Sequence, residues 1–222
     1  MIRQFRRSAV ALVAAGTVLA GLSACAAPSY TYASDSADQA YFKVPSAWPQ
    51  VGPQTMSTFQ LSLGTTLVGT GSGSLAWTRA YDAASDPSAN FLLIGSPTPV
   101  VYASVHDLAT DLRNALSFNQ MRDLVFPVTA GARRQAAASG INLNGFTLFG
   151  SSTITTKDGV RGINELYGFV ARGKPLVFDQ TVLTNSSTTK LYLLLVQCDE
   201  KCFSSNVAQI KTVVQSFTVR GS

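Results

Sequence analysis

The chain has 222 residues, of which 46% are hydrophobic and only 13% are charged. Three of its 17 basic residues, Arg3, Arg6 and Arg7, stand at the N-terminus, so the chain after residue 24 carries 14 basic against 12 acidic residues, a net charge of +2. This remainder has no basic stripe. Nucleic acid is therefore excluded as the expected partner, because phosphate binding needs clustered cations.

The N-terminal segment has the three parts of a bacterial lipoprotein signal peptide. An apolar stretch from 9 to 20 follows the arginines, and LSAC at 22–25 then matches a lipobox. We predict that residues 1–24 are removed and that Cys25 becomes a lipid-bearing N-terminus on the extracytoplasmic face of the cell membrane. The alternatives are an ordinary secretory signal cut after residue 24 or 27, and an uncleaved anchor. The apolar stretch is shorter than the roughly 20 residues that span a bilayer.

Residues 25–40 are rich in Ala, Ser, Tyr and Asp, which predicts a flexible tether to a single domain at 41–222. In the first half of this domain we predict strands at 41–45, 75–81, 91–94 and 100–103, and alternating Phe59, Leu61 and Leu63 indicate another within the otherwise unassigned segment 50–74. Ser104 and Asp107 predict a weak capping box, and apolar residues at helical spacing predict a helix at 105–124. Residues 129–140 are predicted as a short exposed helix or a loop.

The second half of the domain is predicted to be a strand meander. Strands are expected at 146–155, 160–171, 175–184 and 190–198, with turn sequences at 157–159 and 172–174 for two hairpins. The last strand is apolar on both faces, so it needs a layer above and below. Helices at 204–216 and 105–124 are the candidates for those layers. The predicted fold class is α+β, an antiparallel sheet between helical layers.

Cys198 and Cys202 are the two cysteines that remain beside Cys25. Disulfides persist outside the cytoplasm, so we predict a structural disulfide that pins a strand end to a helix start. Two free buried thiols are the alternative. The single, distant His106 cannot complete a tetrahedral zinc shell with them, and no metal or cofactor is predicted.

The residues that could support catalysis are few. His106 is the only histidine and is predicted at a solvated helix start, where its removal should change little. The chain has no nucleophile elbow, which argues against a serine hydrolase. Glu165 and Asp179 fall in neighbouring strands and could approach each other, but a solvated strand face is the preferred interpretation. Trp48 and Trp77 are predicted as core residues, with stacking on a sugar or a partner as the alternative.

Several of these features together resemble the PsbP-like family. They are an early Val44-Pro45-x-x-Trp48, a mid-chain helix, the four-strand meander, the last amphipathic helix and a closing Ser216-Phe217-Thr218-Val219. The resemblance covers residues 41–219. The family includes an extrinsic lumenal protein of photosystem II, a small nuclear Ran-binding factor and actinobacterial lipoproteins of the LpqN type. It implies a PsbP-like α/β/α sandwich and no shared catalytic residues, and its better known members bind proteins or assist assembly.

The sequence therefore predicts a non-enzymatic lipoprotein, held at the membrane by the lipid on Cys25, that binds a protein or a cell-envelope component. Two other functions are kept open. One is binding of a small molecule or lipid in a cavity between the sheet and a helical layer. The other is a hydrolase with an unrecognised site. A cavity lined from the sheet would favour the first, and an open apolar patch would favour partner binding.

Overall fold

The computed structural model of the chain describes residues 29–52, 56, 73–87 and 95–220. Cys25 and the predicted signal peptide lie outside these residues, as do the strands predicted around Phe59 and at 91–94.

Six antiparallel strands form the main sheet. They follow the spatial order β3-β4-β8-β7-β6-β5, in which β5 to β8 are the predicted meander and β4 pairs with β8. The four meander strands are confirmed, and so is the tight turn at Arg172 and Gly173, where both residues have positive φ, 51° and 76°. The six strands are β3 (Gly73–Asp82), β4 (Val100–Leu108), β5 (Asn144–Thr155), β6 (Arg161–Ala171), β7 (Lys174–Thr184) and β8 (Lys190–Asp199).

A second, three-stranded sheet has the order β1-β2-β9, with β1 at Tyr30–Asp35, β2 at Ala40–Pro45 and β9 at Thr218–Val219. The strand β2 matches the prediction. The tether predicted over 25–40 is wrong from residue 30 onward, because β1 pairs with the whole of β2 and buries Ala33. Composition alone missed this strand, since its partner and the core beneath it supply the stabilisation.

Four helices complete the described fold: α1 (Thr110–Ala115), α2 (Phe118–Arg122), α3 (Ala130–Ala138) and α4 (Glu200–Ser216). The C-terminal helix and the helical alternative for residues 129–140 are confirmed. The helix predicted at 105–124 is partly wrong. Residues 105–108 continue β4, and the capping box lies at Ser117 and Gln120 rather than at Ser104. Pairing of β4 with both β3 and β8 outweighs a local spacing that also suits a helix.

The main sheet has a hydrophobic core on each face. One core lies beneath α4 and the small sheet, and it includes Phe42, Leu194 and both tryptophans, which are buried as predicted. The other lies beneath the segment that carries α1, α2 and α3, and it includes Tyr167 and Leu195. The predicted antiparallel sheet between two layers is therefore confirmed.

Candidate binding surface

The strand β5 is an edge of the main sheet, and most of its residues are exposed on both faces. All 12 of its residues are uncharged, and none is proline. Leu148 and Phe149 have 47% and 55% of their surface exposed, which is unusual for large apolar side chains in the middle of a strand. Exposed apolar side chains on an unpaired strand edge indicate a surface available for interaction.

Two register irregularities shape this strand. The pairing of β5 with β6 shifts between Asn144 and Thr147 and again between Leu148 and Gly150. The second shift places Phe149 over Gly168 of β6, where a methyl group on the glycine would come within 3.0 Å of the ring. Gly168 thus allows an exposed aromatic ring to lie on the sheet, and the bulge directs it.

A cleft of about 380 Å³ lies between α3 and the start of β5. Its lining combines Arg133 and Arg134 with apolar groups, among them Ile141 and Phe146. The guanidinium of Arg133 lies 4.0 Å from the centre of the Phe146 ring and donates a hydrogen bond to the carbonyl oxygen of Val128. These contacts hold Arg133 in place before any ligand arrives, which lowers the entropy lost on binding. We call this the arginine cleft.

Neighbouring residues hold in place both the Phe146 ring, which forms the floor of this cleft, and the helix α3 beside it. Phe146 stacks on buried Tyr167 at 6.1 Å, and Tyr167 stacks on Phe178 at 5.4 Å. Thr129 caps α3 by accepting a hydrogen bond from the amide of Ala132. Asp123 accepts hydrogen bonds from the amide and hydroxyl of Thr129, both at 2.7 Å. The cleft is therefore a preformed feature of the fold.

The residues that line the cleft include two arginines and no acidic residue. No acidic residue occurs between Leu124 and Lys157, and none between Leu166 and Phe178. Arg172 and Lys174, in the turn after β6, add two exposed cations beside the start of β5. Arg122 and Lys190, which form ion pairs with Glu165 and with Asp38 and Asp107, do not line this cleft. Together, β5, the arginine cleft and this turn form what we call the β5 surface.

Glu165 does not lie on a solvated strand face, so that preferred interpretation is wrong. It is fully buried, and its Oε1 accepts hydrogen bonds at 2.8 Å from both Arg122 Nε and Ser151 Oγ. Nearby, Gln180 donates to the backbone carbonyls of Met121 and Arg122. This polar network fastens α2 to β6 and β7, and a structural role accounts for the carboxylate.

Asp179 lies on the opposite face of the sheet from Glu165, so the two acids do not form a pair. It lines a groove of about 260 Å³ beneath α4 and accepts a 2.6 Å hydrogen bond from Asn164. Burial raises the pKa of Asp179 to about 6, and the Asn164 hydrogen bond opposes the shift.

A second apolar cleft, of about 280 Å³, lies between the first two helices and the end of the sheet. Its polar lining consists of Gln120 and Asp123, which accept hydrogen bonds from the backbone amides of Ser117 and Val128. The rest of the lining is five leucines: Leu108, Leu112, Leu116, Leu124 and Leu191. We call this the leucine cleft.

The structure corrects the place of His106. It lies in β4 opposite Leu191, only 8% exposed, and its Nε2 is 3.2 Å from Ser104 Oγ. Burial lowers the pKa of His106, although neighbouring Asp107 has the opposite effect. A neutral histidine packed inside a strand differs from the solvated one that was predicted.

The Cys198–Cys202 disulfide is confirmed, with a Cα–Cα distance of 5.9 Å. It joins the end of β8 to the first turn of α4. Asp199, between the cysteines, caps the helix by accepting a hydrogen bond from the amide of Cys202. The described residues contain no group of three or more His, Cys, Asp or Glu side chains suited to a metal ion. Nor do they include a helix long and apolar enough to span a membrane.

Sequence reasoning missed the β5 surface as a site. The acid-free run around α3 was readable from the residues, and so was the adjacent pair Arg133-Arg134. The position of β5 at the sheet edge was not readable, because spatial strand order depends on where β4 inserts. The exposure of Leu148 and Phe149 follows from that position.

No family model and no curated protein matches the sequence. Among solved structures, cyanobacterial PsbP of Synechocystis is similar at 14% identity and a TM-score of 0.50, over 94% of this chain and 98% of that one. LpqN of Mycobacterium tuberculosis, described as involved in cell envelope biogenesis, has 13% identity and a TM-score of 0.44 over 82% and 83% of the two chains. A Ran-binding protein of Saccharomyces cerevisiae has 9% identity and a TM-score of 0.42 over 86% and 96%. The likeness to cyanobacterial PsbP shows that this chain has a PsbP-like fold.

Proposed function

We propose that the protein is a non-enzymatic lipoprotein, anchored through Cys25 at the extracytoplasmic face of the membrane, that binds another protein through the β5 surface. The observation that carries this proposal is an uncharged edge strand with exposed Leu148 and Phe149 beside a preformed arginine cleft. Aromatic side chains and arginine are enriched where proteins bind each other, and energetically important contacts concentrate on them.

The attachment point favours a protein partner over the membrane itself. Cys25 precedes the first described residue, Ser29, by four positions, a length that spans at most about 14 Å. The membrane would therefore lie near the small sheet, whose Phe42 packs against Trp77 of β3. The strands β3 and β5 are opposite edges of the main sheet, five strand spacings or roughly 24 Å apart. The β5 surface is thus on the side away from the anchor.

A non-enzymatic role is part of the proposal. The only histidine of the chain is buried in β4, and burial lowers its pKa, so it is poorly placed as a general base. Glu165 is held by Arg122 and Ser151 inside the protein.

The test for partner binding is photo-crosslinking in intact cells. A benzophenone amino acid replaces Leu148 in one strain and Val207 in another. Val207 is a matched control, because it is 54% exposed on α4, on the other side of the sheet. We expect a discrete crosslinked product from position 148 and none from position 207. Equal products from both positions, or none from position 148, would contradict the proposal.

The anchor is tested separately. Cys25→Ser should prevent lipidation, so that the protein leaves the membrane fraction or stays unprocessed. Mass spectrometry of the native protein should show a lipid on Cys25 after loss of residues 1–24. An unmodified Cys25 in the mature protein would contradict the lipid anchor. It would not test whether the β5 surface binds a partner.

A second function is favoured by the leucine cleft. Five leucines lining about 280 Å³ provide space for a short acyl chain or a similar small apolar molecule. Native mass spectrometry of protein purified from membranes tests this directly, with Leu112→Trp as the variant that fills the cleft. A bound small molecule that disappears in this variant would support lipid binding. An identical spectrum for both proteins would argue against it.

A further inference from the structure

The outer edge of β5 is available for backbone pairing. From Gly150 to Thr155 the strand pairs with β6 in an uninterrupted register on its inner side. Among the described residues, no strand pairs with its outer side. In an antiparallel sheet half of an edge strand's amide and carbonyl groups point outward, so this stretch presents a row of unsatisfied donors and acceptors in ladder geometry.

Most edge strands are protected, and this one is protected over only part of its length. Natural edges carry lysine, proline, bulges or a covering loop that discourage further pairing. In β5 the irregularities end at Gly150, and the sequence GSSTIT that follows contains no charge and no proline. Small Ser and Thr side chains leave the backbone open to an approaching strand.

Charge argues against a second copy of this chain. Antiparallel self-pairing of β5 would bring the arginine cleft of one copy toward Lys157 and Arg161 at the other end of its partner's strand. Like charges brought together oppose association. Asp158, beside Lys157, offsets one of these two charges, so the end of the strand that would meet the arginine cleft keeps a net positive charge. A favourable occupant must bring acidic residues of its own.

We infer that the β5 surface binds an extended, acidic segment of a partner protein, which adds to β5 as a seventh strand and directs carboxylates toward Arg134 and Lys174. Backbone hydrogen bonds to β5 supply affinity that depends little on sequence. The cations at the start of the strand select an acidic segment and favour one orientation of it. This inference rests on the proposed function, since it names the chemistry and the binding mode of the same surface.

The experiment uses two synthetic peptides, each as long as β5, and the purified full-length protein in detergent. One peptide alternates valine and threonine with glutamate, and its twin has lysine in place of glutamate. Hydrogen exchange followed by mass spectrometry measures amide protection. We expect the glutamate peptide to slow exchange within residues 150–155, and the lysine peptide to leave exchange unchanged.

A charge-reversal pair tests the role of the cations. Arg134→Glu with Lys174→Glu changes two exposed residues of the β5 surface, and Lys201→Glu with Lys211→Glu makes the same net change on exposed positions of α4. We expect the first pair to weaken binding of the glutamate peptide by about tenfold or more, and the second to change it little. Added salt should weaken the wild-type complex.

Each result decides the inference. Equal binding of the two peptides, binding without protection of 150–155, or equal loss in both double variants would overturn it. Absence of binding would also overturn it. If the crosslink at position 148 still forms in cells, the proposed function survives and only strand addition is wrong. If that crosslink is absent as well, both are wrong.

Discussion

Two strands of the same meander, β8 and β5, have opposite environments. In β8, all eight residues from Leu191 to Cys198 are buried, because α4 covers one face and the α1–α3 segment covers the other. In β5, two neighbouring large apolar residues are about half exposed. Both strands come from the same half of the chain, so their different exposure reflects position in the sheet. The centre of the sheet is buried on both faces, and its edge is left accessible to the binding partner that we propose.

The largest expected effect comes from replacing a leucine by alanine in β8, compared with the same substitution in β5. Leu195→Ala removes a side chain that is 1% exposed and should lower the free energy of unfolding by about 2–5 kcal/mol. Leu148→Ala, at 47% exposure, should cost less than about 1 kcal/mol. Chemical denaturation of both variants measures the difference. A similar cost at the two positions would show that β5 is covered in the native protein.

The disulfide is expected to matter next, at the end of the buried strand. Replacing both Cys198 and Cys202 by serine should cost about 2 kcal/mol, because the closed loop is short and its entropy in the unfolded chain is small. Thermal unfolding with and without reductant checks this value. Wild type under reducing conditions should match the double variant, and a reductant effect on the variant itself would point to another cause.

His106→Ala tests the corrected position of the histidine in β4. A solvated histidine could be lost without consequence, but this buried one should cost about 1–2 kcal/mol. Since burial lowers its pKa below the ordinary 6.5, the unfolded chain takes up the proton more readily. Wild-type stability should therefore fall as the pH drops below 6.5, and the variant should lose that part of the dependence. Denaturation between pH 5 and 8 would contradict the prediction if both proteins gave parallel curves.

The smallest expected effect concerns Asp179, beneath α4. Its pKa is raised from 3.8 to about 6, so the folded state holds the proton more tightly than the unfolded chain. This contribution to stability is complete below pH 3.8 and is lost as the pH rises through 6. Asp179→Asn should remove that loss and raise stability at pH 7 by about 1 kcal/mol, discounted for partial exposure. The difference between wild type and variant should grow from pH 4 to 6, and a constant difference would contradict the assignment.

The sequence by itself determined two kinds of element. Some are marked by a local sequence such as a turn, and others bury one face and therefore show regularly spaced apolar residues. The four meander strands were predicted from their turn sequences and the last helix from its apolar spacing. The disulfide was predicted because Cys198 and Cys202 are the two cysteines that remain beside Cys25 in a compartment where disulfides persist. The apolar run in β8 also required two covering layers, and this requirement led to the correct fold class. These signals lie within a few residues of one another and need no knowledge of distant partners.

Only the tertiary structure decided the elements that depend on distant pairing. Residues 30–35 became β1 because β2 and a core were available to them. Residues 105–108 stayed in β4 because β3 and β8 flank them, and this buried His106. The arrangement of β4 beside β8 also left β5 at the edge and exposed Leu148 and Phe149. Strand order is set by contacts between residues far apart in the chain, so the same local sequence can end in a core or on a surface.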